Sequence, residues 1–221
     1  MHPKLPALQQ GLAALGLSLS EDQQAQLLAY LDLIAKWTKV YNLTAVRDAD
    51  EMLTHHLLDS LAVIAPLRRE LAKLPVAEGA SAQRAFSLLD VGAGAGLPGI
   101  VIAVACPNIS VTCVDTVAKK AAFIQQVAAT LKLPNLKGLH ARVESLTQPY
   151  DVVCSRAFAS LLDFTTWSRS ALAPHGVWMA MKGKHPHDEL AVLPANTTVF
   201  HVEQLQVPGL DAERCIVWMR G

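Results

Sequence analysis

Apolar residues in the N-terminal part of the chain recur at intervals of three and four positions. They include Leu27, Leu28, Leu31, Ile34 and Ala35. This spacing places apolar side chains on one face of an α-helix. Ser20 followed at the third position by Gln23 is a capping-box pattern that predicts where this helix begins, and Asn42-Leu43-Thr44 is expected to end it.

A second helical stretch is predicted after this break, with Asp48 or Asp50 as its cap. One broad face of it carries Met52, Leu53, His56, Leu57, Ser60, Leu61 and Ile64. The composition of the stretch from Pro75 to Gln83 predicts a connector between the helical part of the chain and the part that follows it. We therefore expect a helical segment, residues 1–74, packed on a catalytic domain formed by residues 84–221.

From Phe86 onward, short apolar strands alternate with helices, a pattern that predicts a parallel sheet with helices on both faces. The predicted strands are Phe86–Val91, Ser110–Asp115, Leu136–Ala141, Tyr150–Ser155 and Gly176–Lys182. The predicted helices are Leu97–Ala105, Thr116–Leu133 and Ser160–Leu172.

The end of the chain follows a different pattern. Two further strands, Thr197–Val207 and Arg214–Arg220, are joined only by residues 208–213. That link is too short for a parallel crossover, so the two strands are expected to be antiparallel. A mostly parallel seven-stranded sheet with an antiparallel last strand is typical of class I S-adenosylmethionine-dependent methyltransferases, a Rossmann-like α/β fold.

Composition narrows the class of protein. Hydrophobic residues make up 52% and charged residues 17% of 221 positions, which is typical of a well-packed globular chain. The four cysteines are scattered without a C-x-x-C pair and are expected to be free thiols in a cytoplasmic protein. Because the formal net charge is zero, binding to nucleic acid would require a local basic patch.

The candidate chemistry centres on the segment from Asp90 to Gly99, which follows the first strand. Alternating glycines at Gly92, Gly94 and Gly96 let the backbone take positive φ and approach a ligand closely. The helix that follows directs free N–H groups at the same place. The segment therefore predicts a loop that holds a nucleotide-like cofactor.

The G-x-G-x-x-G at Gly94–Gly99 alone permits a nicotinamide cofactor. Asp90, at the end of the first strand, favours S-adenosylmethionine because its carboxylate can anchor the ammonium group, directly or through water. Asp115 ends the second strand, where a carboxylate accepts hydrogen bonds from ribose hydroxyls. The alternatives are that Asp90 caps the loop amides and that Asp115 caps the following helix.

Further residues are expected around the cofactor and the acceptor. Val143 and Glu144 follow the third strand, beside the expected adenine. Arg156 ends the fourth strand, where it can pair with the cofactor carboxylate or a phosphate, stack on a base, or form a structural ion pair. Cys154 is expected to be a strand residue, and the histidines do not suggest a metal site.

The end of the fourth strand lacks the Asn/Asp-Pro-Pro-aromatic motif of enzymes that methylate exocyclic amines. With no evident base or nucleophile, the pattern favours an acceptor that needs no deprotonation, such as guanine N7. Catalysis would then consist of alignment and charge stabilisation.

Five segments in order resemble the bacterial small-subunit ribosomal RNA guanine-N7 methyltransferases, also called the glucose-inhibited division protein B family. The segments are Trp37–Thr44, similar to W-N-x-x-x-N-L-T, His56–Ser60, Asp90–Gly99, Ser155–Ala157 and Lys182-Gly183. The chain departs from the family at Thr38, where Asn is usual, and at Ala93, where Thr or Ser is usual.

The resemblance implies S-adenosylmethionine-dependent methylation of one guanine N7 in 16S ribosomal RNA. It leaves open whether the substrate is the free RNA or the assembled small subunit. It places cofactor contacts on Gly92, Leu97, Val143, Glu144 and Arg156. A class I methyltransferase acting on another RNA or on a small molecule is the alternative.

Four residues are candidates for contact with RNA: Lys182 and Lys184 after the fifth strand, and Asn42 and Arg47 around the predicted break. Arg156 and Lys182 are also the candidate catalytic residues, neither of them firmly assigned.

Overall fold

A computed structural model describes residues 2–41, 43–44, 46, 48–74 and 86–221. Asn42, Arg47 and the predicted connector Pro75–Gln83 lie outside the described residues, so those predictions stay as they are. Across the described part of the chain, each helix is too short or too polar to cross a membrane.

The N-terminal segment is helical. Its helices are α1 (Leu5–Ala14), α2 (Glu21–Tyr41), α3 (Ala49–Met52), α4 (Asp59–Leu61) and α5 (Ile64–Leu71), with a π-helical turn at Leu53–Leu58. The predicted capping box is present at the start of α2. The Gln23 amide donates to Ser20 Oγ at 3.2 Å, and the Ser20 amide donates to Gln23 Oε1 at 2.9 Å. At α3, Asp48 Oδ1 accepts from the Glu51 amide at 3.0 Å.

The remainder of the chain alternates strands and helices. The strands are β1 (Phe86–Val91), β2 (Ile109–Asp115), β3 (Leu136–His140), β4 (Tyr150–Arg156), β5 (Leu172–Lys182), β6 (Thr198–Leu205) and β7 (Arg214–Arg220). The helices are α6 (Gly99–Ala105), α7 (Ala118–Thr130), α8 (Leu161–Trp167) and α9 (His187–Ala191), with 3₁₀ turns at Val143–Ser145 and Arg169–Ala171.

The seven strands form one sheet in the order β3-β2-β1-β4-β5-β7-β6. Strands β1 to β5 pair in parallel, and β7 is antiparallel to both β5 and β6. The predicted fold class is confirmed, including the antiparallel last strand. The parallel register brings the carboxyl ends of β1, β2 and β4 together at one edge, which is where open α/β sheets bind ligands.

Both faces of the sheet are buried along its central strands, so neighbouring residues of these strands belong to different cores. Leu88 and Val152 pack with the N-terminal helices, α6 and α7. Leu89 and Val153 pack on the opposite face with α8 and the 3₁₀ turns. Burial on both faces explains why the sequences of β1 and β4 are largely continuous apolar runs, whereas the edge strands β3 and β6 keep exposed polar positions.

Most predicted boundaries are shifted by one to five residues, and two helix boundaries are explained by local structure. Helix α6 begins at Gly99 and not at Leu97, because Leu97 and Pro98 belong to the turn that ends the glycine loop. The helix predicted at Ser160–Leu172 ends at Trp167, and Leu172 starts β5. Ser168 explains this end, because its Oγ donates to the Phe164 carbonyl at 2.6 Å and accepts from Trp178 Nε1 at 2.9 Å.

Candidate cofactor and acceptor site

The glycine loop lies at the carboxyl end of β1. Gly92, Gly94 and Gly96 have φ values of +65°, +59° and +88°, a region that favours glycine. A Cβ on Gly92 would lie 2.2 Å from the Phe158 ring, and one on Gly96 would lie 2.3 Å from Ile100. At Gly94, apart from its two neighbours in the chain, the described residues place only the Gly92 carbonyl oxygen within 4 Å of such a Cβ, at 3.9 Å. The loop thus keeps an open backbone surface at its centre.

Groups from β2 and α2 hold this loop in place. The amides of Gly92 and Ala93 donate to the Val114 carbonyl at 2.9 and 3.1 Å. The Gly94 amide donates to Asp115 Oδ2 at 3.0 Å, and the buried Tyr30 hydroxyl donates to the Ala95 carbonyl at 2.7 Å. The glycine loop is therefore positioned by the strand beside it and by the N-terminal segment.

Asp115 links the loop to the start of α7. Besides accepting from Gly94, it accepts from the Val117 amide at 2.9 Å through Oδ1, and Lys120 Nζ lies 3.7 Å from Oδ2. A role at the helix start is thus present in the structure. Asp115 also lines the larger cavity described below, so a contact with the ribose stays a prediction compatible with these bonds.

Asp90 is fully buried beneath the loop. Its Oδ2 accepts from the Gly99 amide at 2.8 Å, at the first residue of α6. Its Oδ1 has no hydrogen-bond partner among the described residues. Burial raises the pKa of Asp90 to about 7, although the Gly99 hydrogen bond and the Arg156 charge act in the opposite direction. Asp90 therefore caps the loop, and the predicted ammonium contact stays a prediction.

Two adjoining cavities flank the loop. One, of about 700 Å³, is lined by Asp115, Val143, Glu144, Phe158 and Trp167, among others. The other, of about 570 Å³, is lined by the loop and by His56, Arg156, Lys182 and Arg214, among others. Gly92, Lys120 and Ala157 line both cavities. The pair forms one cleft large enough for an elongated cofactor and an acceptor.

Val143 and Glu144 lie in the 3₁₀ turn after β3, at the wall of the larger cavity. The side chain of Val143 is buried, whereas Glu144 accepts from Arg142 Nη2 at 2.9 Å. That hydrogen bond lowers the pKa of Glu144. Their position fits the predicted contact with adenine, which stays a prediction.

Arg156 ends β4 and lines the smaller cavity. Its Nη1 donates to Asp59 Oδ2 and to the His55 carbonyl, both at 2.8 Å. The other oxygen of Asp59 accepts from Arg214 Nε at 2.9 Å. Asp59 is almost completely buried, so one carboxylate fixes two guanidinium groups at the cavity wall. The structural ion pair considered from the sequence is present, and it leaves Arg156 facing the cleft.

Arg214 was not among the sequence-predicted site residues. It lies 155 positions from Asp59 in the chain, and no local pattern marks the pair. Ala157, which adopts a left-handed φ of +51° at the end of β4, was also missed. A non-glycine residue in this conformation is strained, and such residues cluster at functional sites.

Lys182 ends β5 beside the same cavity. Its Nζ donates to Glu189 Oε2 at 2.8 Å and to the Ala159 carbonyl at 2.9 Å. Glu189 belongs to α9, a helix that the sequence did not predict. Lys184 is exposed on the loop between β5 and α9. The roles proposed for these lysines in catalysis and RNA binding stay predictions.

His56 and Cys154 are both buried near the cleft. His56 Nε2 lies 3.0 Å from Thr44 Oγ1, and burial lowers the pKa of His56 to about 4, so the ring is neutral at pH 7. Burial raises the pKa of the Cys154 thiol well above its ordinary value, which makes it a poor nucleophile. Within the described residues, no group of three or more His, Cys, Asp or Glu side chains is arranged to hold a metal ion.

A left-handed glycine loop at the carboxyl end of β1, in a sheet completed by an antiparallel β7, is the arrangement of class I methyltransferases. The chain is an S-adenosylmethionine-dependent methyltransferase of this class. It belongs to the rRNA small subunit methyltransferase G family, which matches residues 23–217.

Individual relatives agree with this family assignment. Ribosomal RNA small subunit methyltransferase G of Polaromonas sp. strain JS666 is 70% identical over 213 residues, covering 96% of this chain and 92% of the relative. The protein of that name from Acidovorax ebreus is 67% identical, covering 97% and 94%.

Two solved structures share the fold. TrmN from Thermus thermophilus has a TM-score of 0.53 at 16% identity, covering 76% of this chain and 53% of that one. A SAM-dependent methyltransferase from Aquifex aeolicus has a TM-score of 0.51 at 17% identity, covering 73% and 92%.

Proposed function

We propose that this protein transfers the methyl group of S-adenosylmethionine to N7 of one guanine in 16S ribosomal RNA. The observation that carries the proposal is the junction of the two cavities at Gly92 and Ala157. The larger cavity suits the nucleoside part of the cofactor. The smaller one, rimmed by Arg156, Lys182 and Arg214, suits an acceptor that brings a phosphate with it.

The residues fit the cofactor, since the open backbone at Gly94 gives it a surface to lie on. We expect Asp115 to accept from the ribose hydroxyls and Val143 to contact the adenine in the larger cavity. We expect Arg156, at the wall of the smaller cavity, to bind the carboxylate of the cofactor beside the acceptor. S-adenosylmethionine, when bound, supplies an electrophilic methyl group.

The acceptor chemistry agrees with the side chains in the smaller cavity. Guanine N7 carries a lone pair and needs no general base, and the Arg and Lys side chains at this wall are not suited to remove a proton. Their role is to hold the nucleotide so that N7 is aligned for transfer. The ion pairs of the buried Asp59 with the partly exposed Arg156 and Arg214 fix that wall.

We further propose that the substrate is the assembled small subunit, in the cytoplasm. The zero net charge supports this, because a chain without overall positive charge has little general attraction for free RNA. Residues 1–74 and 84–221 are proposed to act as one unit, since Tyr30 and Asp59 of the first part contact the loop and the cavity of the second.

A methyl-transfer assay tests the proposal. Small subunits from a strain that lacks this protein, free 16S RNA and large subunits are each incubated with the protein and labelled S-adenosylmethionine. Borohydride and aniline treatment then cleaves the RNA at N7-methylguanine. We expect one new cleavage in 16S RNA and the highest rate with small subunits. Labelling without cleavage would instead indicate another position or another substrate.

Arg156→Ala tests the site within the same assay, with Arg169→Ala as its matched control. Like Arg156, Arg169 donates to a backbone carbonyl, that of Asn196; its second acceptor is the Thr197 hydroxyl instead of a carboxylate, and neither partner lines the cleft. We expect the first variant to lose most of its methyl transfer and the second to retain it. Equal loss in both variants would assign the effect to stability and not to the site.

A further inference from the structure

An exposed aromatic and basic patch lies where the end of α2 meets the start of α7. We call it the α2–α7 patch; it consists of Val40 and Tyr41 from α2 with Val117 and Lys119 from the start of α7. Val40 is 68% exposed, Tyr41 48% and Val117 43%. Large apolar side chains that are exposed side by side are a feature of interaction surfaces.

Tyr41 is held in a defined position. Its ring centroid lies 5.1 Å from that of Trp37, which in turn packs 5.1 Å from the ring of Phe123 on α7. Lys119 Nζ lies 5.3 Å from the Tyr41 ring centroid, within the range of a cation–π interaction. The ring is half open to solvent and packs against Trp37, so it provides a stacking platform to a base that displaces the Lys119 ammonium from it.

The charge of the surroundings favours a polyanion. Lys36 and Lys39 are exposed in the last turns of α2, and Lys119 and Lys120 lie in the first turn of α7. Proteins that bind single-stranded RNA combine aromatic rings, on which bases stack, with lysines and arginines that contact phosphates. Both components are present here within one junction of two helices.

The patch borders the cofactor cleft. Val117 lines the larger cavity, and Lys120 lines both cavities. A nucleotide stacked on Tyr41 would therefore lie close to the guanine that enters the cleft. We propose that the α2–α7 patch binds an unpaired base of the RNA substrate, stacked on Tyr41, with its phosphates contacted by Lys119 and neighbouring lysines. This inference rests on the proposed function and adds a specific substrate contact to it.

The test compares variants in binding and methylation of small subunits from a strain that lacks this protein. Tyr41→Ala is expected to raise both Kd and KM for the subunit by about fivefold or more, since stacking on an aromatic side chain contributes at least that much per base. The kcat and the Kd for S-adenosylmethionine should change less than about twofold, because Tyr41 lies outside the described linings of the cleft. Tyr41→Phe keeps the ring and should behave like the wild type.

Two lysine variants form a matched pair. Lys119→Ala should weaken subunit binding and lower the slope of log Kd against log salt by about one, as expected for a lost phosphate contact. Lys137→Ala removes the same charge from an exposed position on β3 and should do neither. Photo-crosslinking through a benzophenone amino acid at position 41 should yield a product that ribonuclease removes.

Each outcome separates the inference from the proposed function. Wild-type methylation of 16S RNA with an unchanged KM for Tyr41→Ala would overturn the inference alone. Crosslinking of position 41 to a ribosomal protein would also overturn it, in favour of a protein contact. Subunit binding that depends on Tyr41 without methyl transfer to guanine N7 would support the patch and contradict the proposed activity.

Discussion

The hydroxyl of Tyr30 donates a hydrogen bond of 2.7 Å to the carbonyl oxygen of Ala95. Tyr30 lies in α2, whereas Ala95 lies between the second and third glycines of the glycine loop. Burial raises the pKa of Tyr30 well above its ordinary value, so the phenol stays a donor across the working pH range. The N-terminal helices thus act directly on the conformation of the glycine loop, where we propose that the cofactor binds.

Tyr30→Phe tests this coupling. The substitution leaves the Ala95 carbonyl buried without a partner, which is expected to lower the free energy of unfolding by about 1–3 kcal/mol. It should also raise the Kd for S-adenosylmethionine by roughly fivefold, because the loop is less well fixed. Calorimetric titration and urea unfolding measure the two effects. Tyr150→Phe is the control, since Tyr150 is also buried but begins β4 at the opposite end of the sheet. An equal change of Kd in both variants would contradict the coupling.

The glycine loop offers a second matched pair. Gly94 and Gly16 have φ values of +59° and +64°, and neither position places a side-chain atom within 4 Å of an added Cβ. Alanine at either position should therefore lower stability by a similar amount, about 1 kcal/mol, through backbone strain alone. Gly94→Ala should in addition weaken S-adenosylmethionine binding at least tenfold, because the alanine side chain occupies space at the loop surface on which the cofactor is proposed to lie. Titration of both variants checks this, and equal affinities would exclude a close approach at Gly94.

Asp59 is predicted to position the two arginines of the smaller cavity. Asp59→Asn keeps the shape of the side chain but removes the charge shared by Arg156 and Arg214. Both guanidinium groups are partly exposed, so we expect a loss of stability of about 1–2 kcal/mol, less than for a fully buried pair. Methyl transfer should fall at least tenfold under saturating S-adenosylmethionine. Full activity in a destabilised variant would show that Asp59 supports the fold only.

Asp90 predicts a specific pH dependence of stability. Its pKa is raised to about 7 from 3.8, so the folded protein retains a proton that the unfolded chain has already lost between these values. The contribution of Asp90 to the free energy of unfolding is therefore fully present at low pH and is lost as the pH rises from about 4 to about 7.

Asp90→Asn lacks this titration but keeps an oxygen that can accept from Gly99. Relative to the wild type, the variant should become more stable by a few kcal/mol as the pH rises from 5 to 8, at about 1.4 kcal/mol per pKa unit. The pKa of His56 is lowered to about 4, so its contribution to stability rises with pH up to about 6.5, opposite to that of Asp90. Because His56 is present in both proteins, its contribution cancels in the difference between them. Urea unfolding at several pH values measures the difference; a difference independent of pH would mean that Asp90 is ionised throughout.

The sequence was sufficient for the features that depend on near neighbours. The capping box at Ser20 and Gln23, the glycine loop and the terminal hairpin are each encoded within a few residues, and each was predicted. The parallel pairing of the first five strands followed from their alternation with helices, and the antiparallel end of the sheet followed from the short link before β7; the order of the strands in the sheet was not predicted. Helix ends were less accurate where a side chain decides them, as Ser168 does after α8.

Contacts between distant parts of the chain were not predictable in this way. Tyr30 and Ala95 are 65 positions apart, and nothing local in either segment indicates the hydrogen bond. Arg156 was singled out from its place at the end of a strand, but its buried partner Asp59 was not. For Lys182, the partner Glu189 lies on a one-turn helix too short to produce a periodic pattern.

The most direct test of the central claim is a map of N7-methylguanine in 16S RNA from cells with and without this protein. The account predicts one methylated guanine that disappears when the protein is removed. It should return with the wild type and with Gly16→Ala, but not with Arg156→Ala. An unchanged map in the absence of the protein would contradict the assignment.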